Sequence, residues 1–533
     1  MNKINILDCT LRDGGYINDF NFGRKAIQSI VQKLSDAAID IIECGFLRSG
    51  ATDADKSLFG SVEMVRDIIG EKRSNCMYVA MLQYGVMGID EISPCDGTSI
   101  DGIRLTFHEH EIEPSVVLGK QLMEKGYKVF MQPVGTMAYT DEELLNLIKR
   151  INEMMPFAFY MVDTLGTMYR NDLRRMFYLV DHNLQKHILV GFHSHNNLQM
   201  SFANAQELIQ MSSTRQIIVD ASVYGMGRGA GNLNTELLVR FINTNLGLTY
   251  DELPILEILD DYIHPLRKEF QWGYDAAYYA AAAAGCHPNY ARFLMNRQTL
   301  QIRDIHAILE GLEEGKRHLF DKEYIVERYE HYMSHHVDDA AVQEVVAQEV
   351  GERKVLVIAP GKSVKRDREK IMDYIVTEKP LVVSVNFVPD TIPVELTFVS
   401  NMKRFRNVKE LMEGAEERKV VVTSNIATES DFKNLMIADF SSYLSEDAAI
   451  SDNAGVMCIN FLKRCGAREI LLAGFDGFSL DWRENYYEDS MAFDLESSRI
   501  YEMNHALGAK FAQLQRQMTI GFLQDSIYQK EIV

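Results

Sequence analysis

"ILVGFHSHNN", Ile188–Asn197, is a run of β-branched and apolar residues that ends abruptly in two histidines one residue apart. In an extended chain residues i and i+2 point the same way, so His193 and His195 face one point. A lone histidine in such a run can equally cap a strand or hydrogen-bond in a core, so the neighbouring segments decide. A second stretch of similar design stands near the N-terminus, where Ile4–Leu7 runs into "DCTLRDGGY", Asp8–Tyr16. Taken alone that stretch also reads as a solvated turn with an internal Arg–Asp pair.

Working outward from Ile188–Phe192 and Ile4–Leu7, six more apolar runs complete a series of eight. They are Ile39–Cys44, Met77–Met81, Gly102–Thr106, Lys128–Gln132, Ala158–Val162 and Ile217–Ala221. Their spacing is that of one βα unit, with helical patterns between them at Arg24–Ala38, Glu142–Asn152 and Ser201–Ser212. Eight strands in βα alternation predict a (β/α)8 TIM barrel over residues 1–245, with an open doubly wound sheet as the structural alternative.

At 533 residues the chain exceeds what one hydrophobic core can organise, so further domains are expected. Residues 246–335 read as a helical extension, including "WGYDAAYYAAAAAG" and interrupted at "CHPNY" by Pro288. The Tyr/Ala run itself reads as core helix packing. Residues 336–353 read as a polar helical linker. Residues 354–533 form a separate Rossmann-like α/β domain, with strands expected at Lys354–Ile358, Leu381–Val385, Val394–Phe398, Lys419–Thr423 and Glu469–Leu472. Their continuous apolar character points to a parallel sheet covered on both faces.

The formal charge of −21 argues against nucleic acid or an anionic membrane as partner, because both reward Lys and Arg. Seven scattered cysteines without a CxxC pair read as reduced thiols. With no signal-peptide layout and no stretch long enough to span a bilayer, a cytoplasmic protein is expected.

Residues just after a barrel strand lie on the face where chemistry occurs. That rule gathers Arg12 and Asp13 after the first strand, Asp163 and Thr164 after the sixth, the two histidines at the seventh and Asn232 after the eighth. Strands one and eight become neighbours when the barrel closes, so Asp13 approaches His193 and His195, with Asn232 as a further oxygen donor. Two imidazoles and a carboxylate make a facial triad that leaves positions open for substrate. Donors without thiolate suit Mn²⁺ or Mg²⁺ better than Zn²⁺. Asp163 and Thr164 are candidate substrate-binding groups. "GMGRGA", Gly225–Ala230, matches a dinucleotide-binding pattern but follows a barrel's last strand, so its glycines read as close backbone packing.

"LDCTLRDGG", "GFHSHNN" and "GNLNTE", in that order, resemble the DRE-TIM metallolyase superfamily, the pyruvate carboxyltransferase or HMG-CoA lyase-like group. Within it the chain is most similar to the 4-hydroxy-2-oxovalerate aldolases, through "WGYDAAYYAAAAAG". The resemblance implies that Asp13, His193 and His195 bind a divalent metal and that Arg12 is catalytic. It implies pyruvate or another 2-oxo acid and an aldehyde as substrates, and a homo-oligomer. In the aldolases a histidine sits three residues after the metal-binding aspartate; here that position is Tyr16. A phenol is a poor base at neutral pH unless a cation lowers its pKa. Tyr16 and, by resemblance, Tyr274 are the candidate proton-transfer residues. An acyl-CoA condensing synthase or lyase, or a silent barrel serving as scaffold, are the other readings.

In the last domain "VLVIAPGKSVKRDREKI" reads as strand, glycine turn and helix start, an arrangement that leaves amide groups for an anion but lacks P-loop spacing. With "SVNFVP" and "SDNAGVMCINFLKRCGAREILLAGFDGF" it resembles the Rossmann-like domains of bacterial sialyltransferases and MptE-like proteins. That resemblance implies a nucleotide or nucleotide-sugar held by Gly361, Ser363, Asn386 and Asn453. A structural or oligomerising domain without ligand is the alternative.

Overall fold

The computed structural model describes residues 4–211, 213–297, 299–334, 336–412, 419–426, 435–492, 495 and 497–532. Ser212, the expected end of the Ser201 helix, lies outside them. The chain divides into two compact units. The first comprises Met1–Arg292 and Glu313–Phe320, the second Phe293–Leu312 and Asp321–Val533, so the division falls inside the helical stretch.

In the first unit eight strands run parallel: β1 (Ile4–Asp8), β2 (Ile41–Leu47), β3 (Met77–Gln83), β4 (Gly102–Phe107), β5 (Lys128–Pro133), β6 (Ala158–Asp163), β7 (Leu189–Ser194) and β8 (Ile217–Ala221). Each pairs with the next, and β1 pairs with both β8 and β2, which closes the TIM barrel. The register sets Leu7 beside Asp220 and Ile41, so the first and last strands end together.

Helices form where a cap and a stripe agree. At Asp141–Met154 the Thr140 hydroxyl accepts from the Glu143 amide while the Glu143 carboxylate accepts from the Thr140 amide. Leu144, Leu147, Ile148 and Ile151 then bury one face at i, i+3, i+4 and i+7. The helical run is broken where expected: one helix ends at Ala283, and Pro288 opens the next, Pro288–Met295, where its missing N–H removes no helical bond.

The barrel interior is not wholly aliphatic. Glu43, Arg104, Tyr160 and Asp220 are buried inside it. Arg104 donates to Glu43 at 2.6 Å and to Asp220, and its guanidinium stands 4.9 Å from the Tyr160 ring centroid. The ring fits because position 191 is glycine: a Cβ there would lie 2.2 Å from it.

The second unit is an open parallel sheet of seven strands: β9 (Val355–Ile358), β10 (Leu381–Val385), β11 (Leu396–Val399), β12 (Lys419–Thr423), β13 (Leu435–Ala438), β14 (Glu469–Ala473) and β15 (Thr519–Phe522). The order is β13-β12-β11-β10-β9-β14-β15. Strands β13 and β15 had no expectation in the sequence. Among the described residues no helix is long and apolar enough to cross a membrane.

Candidate metal centre

Strand β1 ends in a single turn of helix, Thr10–Asp13, and Asp8 makes that turn. One Asp8 oxygen accepts from the Thr10 amide at 2.9 Å and the other from the Thr235 hydroxyl at 2.6 Å. Burial pushes the Asp8 carboxyl up to about 6 despite these bonds. Asp8 is thus committed to the backbone, and the turn delivers Arg12 and Asp13 onto the rim.

Asp13, His193 and His195 converge there, all buried, with one donor atom of each within 4.8 Å of the others. His193 Nδ1 and Asp220 Oδ2 are 3.0 Å apart, a contact that turns Nε2 toward the centre. His195 Nδ1 lies 3.9 Å from Asp13 Oδ2, too far for a hydrogen bond, and has no hydrogen-bond partner. Burial holds the His195 imidazole down at about 3, against the opposing pull of Asp13. Burial would raise the Asp13 carboxyl, but Arg12, both histidines and Arg228 overcome it and hold Asp13 well below the usual carboxylate range. At neutral pH the cluster is therefore a carboxylate facing a neutral imidazole, the protonation a divalent cation requires.

Asn232 joins the cluster by donating Nδ2 to Asp13 Oδ2 at 2.5 Å, while its Oδ1 has no partner. Gly227 keeps this corner open, because a Cβ there would lie 2.3 Å from Asn232 and 2.9 Å from Asp13. Arg12 donates Nε to Glu43 at 2.8 Å and Nη1 to Asp13 at 2.7 Å; its buried Nη2 has no partner. A free donor, a free imidazole nitrogen and a free amide oxygen thus share one buried rim. Unsatisfied buried polar atoms are costly, and three around one triad fit a bound cation with an oxygen-rich ligand.

The remaining barrel candidates fall into different places. Tyr16 is half-buried, with the Arg228 guanidinium 3.9 Å from its ring centroid and Phe20 and Phe46 against its edges. Tyr274 is 63 % exposed, and among the described residues no hydrogen bond or ring contact ties it to the triad. Asp163 spends both oxygens on the Thr167 and Met168 amides of its own loop, and Thr164 accepts from the Gly135 amide. Those two residues shape the loop after β6.

Sequence reading passed over Glu43, Arg104, Asp220 and Arg228. The first three interrupt apolar runs, "IIECGF", "GIRLTF" and "IIVDA". A charge inside a strand buried on both faces is the signal that would have found them. Arg228 sits within the glycine-rich segment read as packing. In the second unit Gly361, Asn386 and Asn453 line one cleft. Ser363 does not line it: its amide donates to Asp476 at 2.8 Å and its hydroxyl also donates to Asp476, so the expected anion-binding amide is already taken.

Fold and site together define a (β/α)8 barrel with a buried His-His-Asp centre able to hold a metal ion. The HMGL-like family model matches residues 109–258, which lie within the barrel unit. A 4-hydroxy-2-oxovalerate aldolase from Geobacillus genomosp. 3 is 27 % identical over 49 % of this chain and 77 % of its own length. An oxaloacetate decarboxylase from Mycobacterium tuberculosis is 29 % identical over 44 % of this chain and 68 % of its own. The crystal structure of the N-terminal domain of a putative aldolase from Bacteroides vulgatus is 26 % identical, covering 55 % of this chain and 97 % of that one, with a TM-score of 0.47.

Proposed function

We propose that the barrel unit is a divalent-metal-dependent aldolase, a lyase that breaks or forms the bond between the pyruvate enolate and an aldehyde. The observation that carries this reading is the free Arg12 Nη2 beside the Asp13–His193–His195 triad. Asp13, His193 and His195 would hold Mn²⁺ or Mg²⁺, with Asn232 Oδ1 as a further donor. Bound there, the ion would supply Lewis acidity to a 2-oxo acid.

In the cleavage direction a base takes the proton of the 4-hydroxyl, the C3–C4 bond breaks, the aldehyde forms and the electron pair becomes the enolate. Arg12 Nη2 donates to the oxygen on which that charge develops, and its bonds to Glu43 and Asp13 fix it in place beforehand. Protonation of the enolate at C3 gives pyruvate. Tyr16, with the Arg228 guanidinium 3.9 Å from its ring centroid, is the side chain to test at the position where the aldolases keep a histidine.

The decarboxylase relative supports a second reading. Oxaloacetate and 4-hydroxy-2-oxovalerate are both 2-oxo acids whose C3–C4 cleavage leaves the pyruvate enolate, and decarboxylation needs no base for a hydroxyl. A tyrosine in the base position is compatible with it.

The test is deuterium exchange into the pyruvate methyl group in D₂O with Mn²⁺. Exchange that vanishes in His193→Ala/His195→Ala is expected, and exchange that survives in that variant overturns the site. Aldehyde-dependent product marks an aldolase, CO₂ from oxaloacetate marks a decarboxylase, and CoA release from an added acyl-CoA marks a condensing synthase.

A further inference from the structure

The loop after β8 carries an arginine that the metal centre does not use. Arg228 is half-buried, and among the described residues none of its N–H groups has a hydrogen-bond or ion-pair partner. Its guanidinium carbon stands 3.9 Å from the Tyr16 ring centroid, a cation over a ring face. Such a contact steadies the side chain without spending the in-plane donors that a carboxylate would engage.

The backbone beneath this free head is fixed. The Asn197 side chain accepts from the Ala230 amide at 2.8 Å and donates to the Leu165 carbonyl at 2.9 Å, which ties the loop to the segments after β6 and β7. The Gly231 amide donates to the Arg228 carbonyl at 3.0 Å, and the Gly231 carbonyl accepts from the Asn196 amide at 2.8 Å. Gly229 has φ +65°, and a Cβ there would lie 2.6 Å from Asn197 Oδ1. A side chain with a pinned backbone and an unpaired head group is placed to meet something outside the chain.

The same loop fixes where that meeting occurs. Gly227, one residue earlier, packs so closely on the metal centre that a Cβ would lie 2.9 Å from Asp13 Oδ2. Tyr16 stands three residues past Asp13, in the turn Gly14–Tyr16 that follows it. The Arg228–Tyr16 pair therefore borders the triad on the β1 and β8 side.

Charge then narrows the ligand. Arg12 and Arg104 pair with Glu43, Asp13 and Asp220, a set that is one charge negative. With a divalent ion and the single negative charge of a 2-oxo acid added, that set is neutral. Arg228 is left as a surplus cation, partly out of water, and one further negative charge balances it. A carboxylate carries one; a phosphate dianion would leave the rim negative again. We infer that Arg228, steadied by Tyr16, is the specificity-determining residue of the barrel site and pairs with a second carboxylate, so that the substrate is a 2-oxo dicarboxylic acid. The aldolase reading above enters only in naming the half that carries this carboxylate, the aldehyde.

The experiment is calorimetric titration of the full chain, loaded with Mn²⁺, using ligands that lack the 4-hydroxyl and are not cleaved. 2-Oxoglutarate and 2-oxoadipate are compared with 2-oxopentanoate and 2-oxohexanoate, which carry a methyl group in place of the distal carboxylate. Each diacid is expected to bind at least about tenfold tighter than its partner. Arg228→Gln should lower that ratio about tenfold, while Arg228→Lys, which keeps the charge, should retain at least about a third of it. A purely structural role would weaken both ligands together and leave the ratio unmoved. Equal binding of diacid and monoacid, or an unchanged ratio in Arg228→Gln, overturns the inference. Deuterium exchange into pyruvate, run on the same native sample, reports separately on the aldolase reading: its absence beside a kept diacid preference overturns that reading alone.

Discussion

The barrel unit and the C-terminal unit both set their candidate sites beyond the carboxyl ends of parallel strands, but they furnish them in different proportions of charged and neutral groups. The barrel rim is charged: Arg12, Asp13, His193 and His195 stand on it, over an interior crossed by Glu43, Arg104 and Asp220. The C-terminal cleft is lined by glycines, amides, hydroxyls and aromatic rings, with Arg404, Asp452 and Asp476 as its charges. Closure explains the difference. A closed barrel aims eight strand ends at one axis, so charges from segments two hundred residues apart can neutralise each other away from water. An open sheet offers a single crevice in which most contacts come from backbone.

That contrast can be broken most sharply at the metal centre. Stripping the ion with a chelator, or making His193→Ala/His195→Ala, should cost at least ~10³-fold in deuterium exchange into pyruvate. Adding Mn²⁺ back should restore activity after chelation but not in the variant. Next in size is Arg12→Lys, which removes the fork that reaches Glu43 and Asp13 at once. A fall of about 10²-fold in kcat is expected, with Mn²⁺ affinity kept within a few fold by titration.

Asp220→Asn probes the network behind the rim. It should weaken Mn²⁺ binding about 10- to 100-fold by loosening His193, and lower the melting temperature because Arg104 loses a buried counter-charge. If metal affinity is unchanged, the interior charges serve folding alone and the two units differ less than their residues suggest. The last effect is on folding alone and lies at Asp8. Its carboxyl sits at about 6 in the folded chain against an ordinary 3.8. Below pH 3.8 it is protonated in both states; between 3.8 and 6 only the unfolded chain ionises, so stability falls as pH rises through that window. The loss is about 3 kcal/mol, and Asp8→Asn should flatten that part of a denaturant-measured pH profile.

Much of the barrel was legible because its signals are periodic or ionisable. The run Ile217–Ala221 matches the observed strand, and Asp13, His193 and His195 announced themselves by residue type and i, i+2 spacing. Asp163 and Thr164 stood at an equally suggestive position; Asp163 accepts from amides of its own loop and Thr164 from the Gly135 amide of the loop after β5, which only the backbone path reveals. Strands β13 and β15 are four residues each, too short for period alone to tell strand from helix, and they acquire strand structure from their neighbours.

By itself, then, the sequence determined the parallel α/β architecture, the rim of the barrel and the residues of its candidate metal centre, because hydrophobic period and side-chain chemistry are local properties. Only tertiary structure decided which nitrogen of each histidine is free, that Arg12 keeps one donor unspent, and that Ser400 rather than Ser363 faces the C-terminal cleft. Those facts depend on which partners long-range packing brings within hydrogen-bond reach, and no residue carries that information alone.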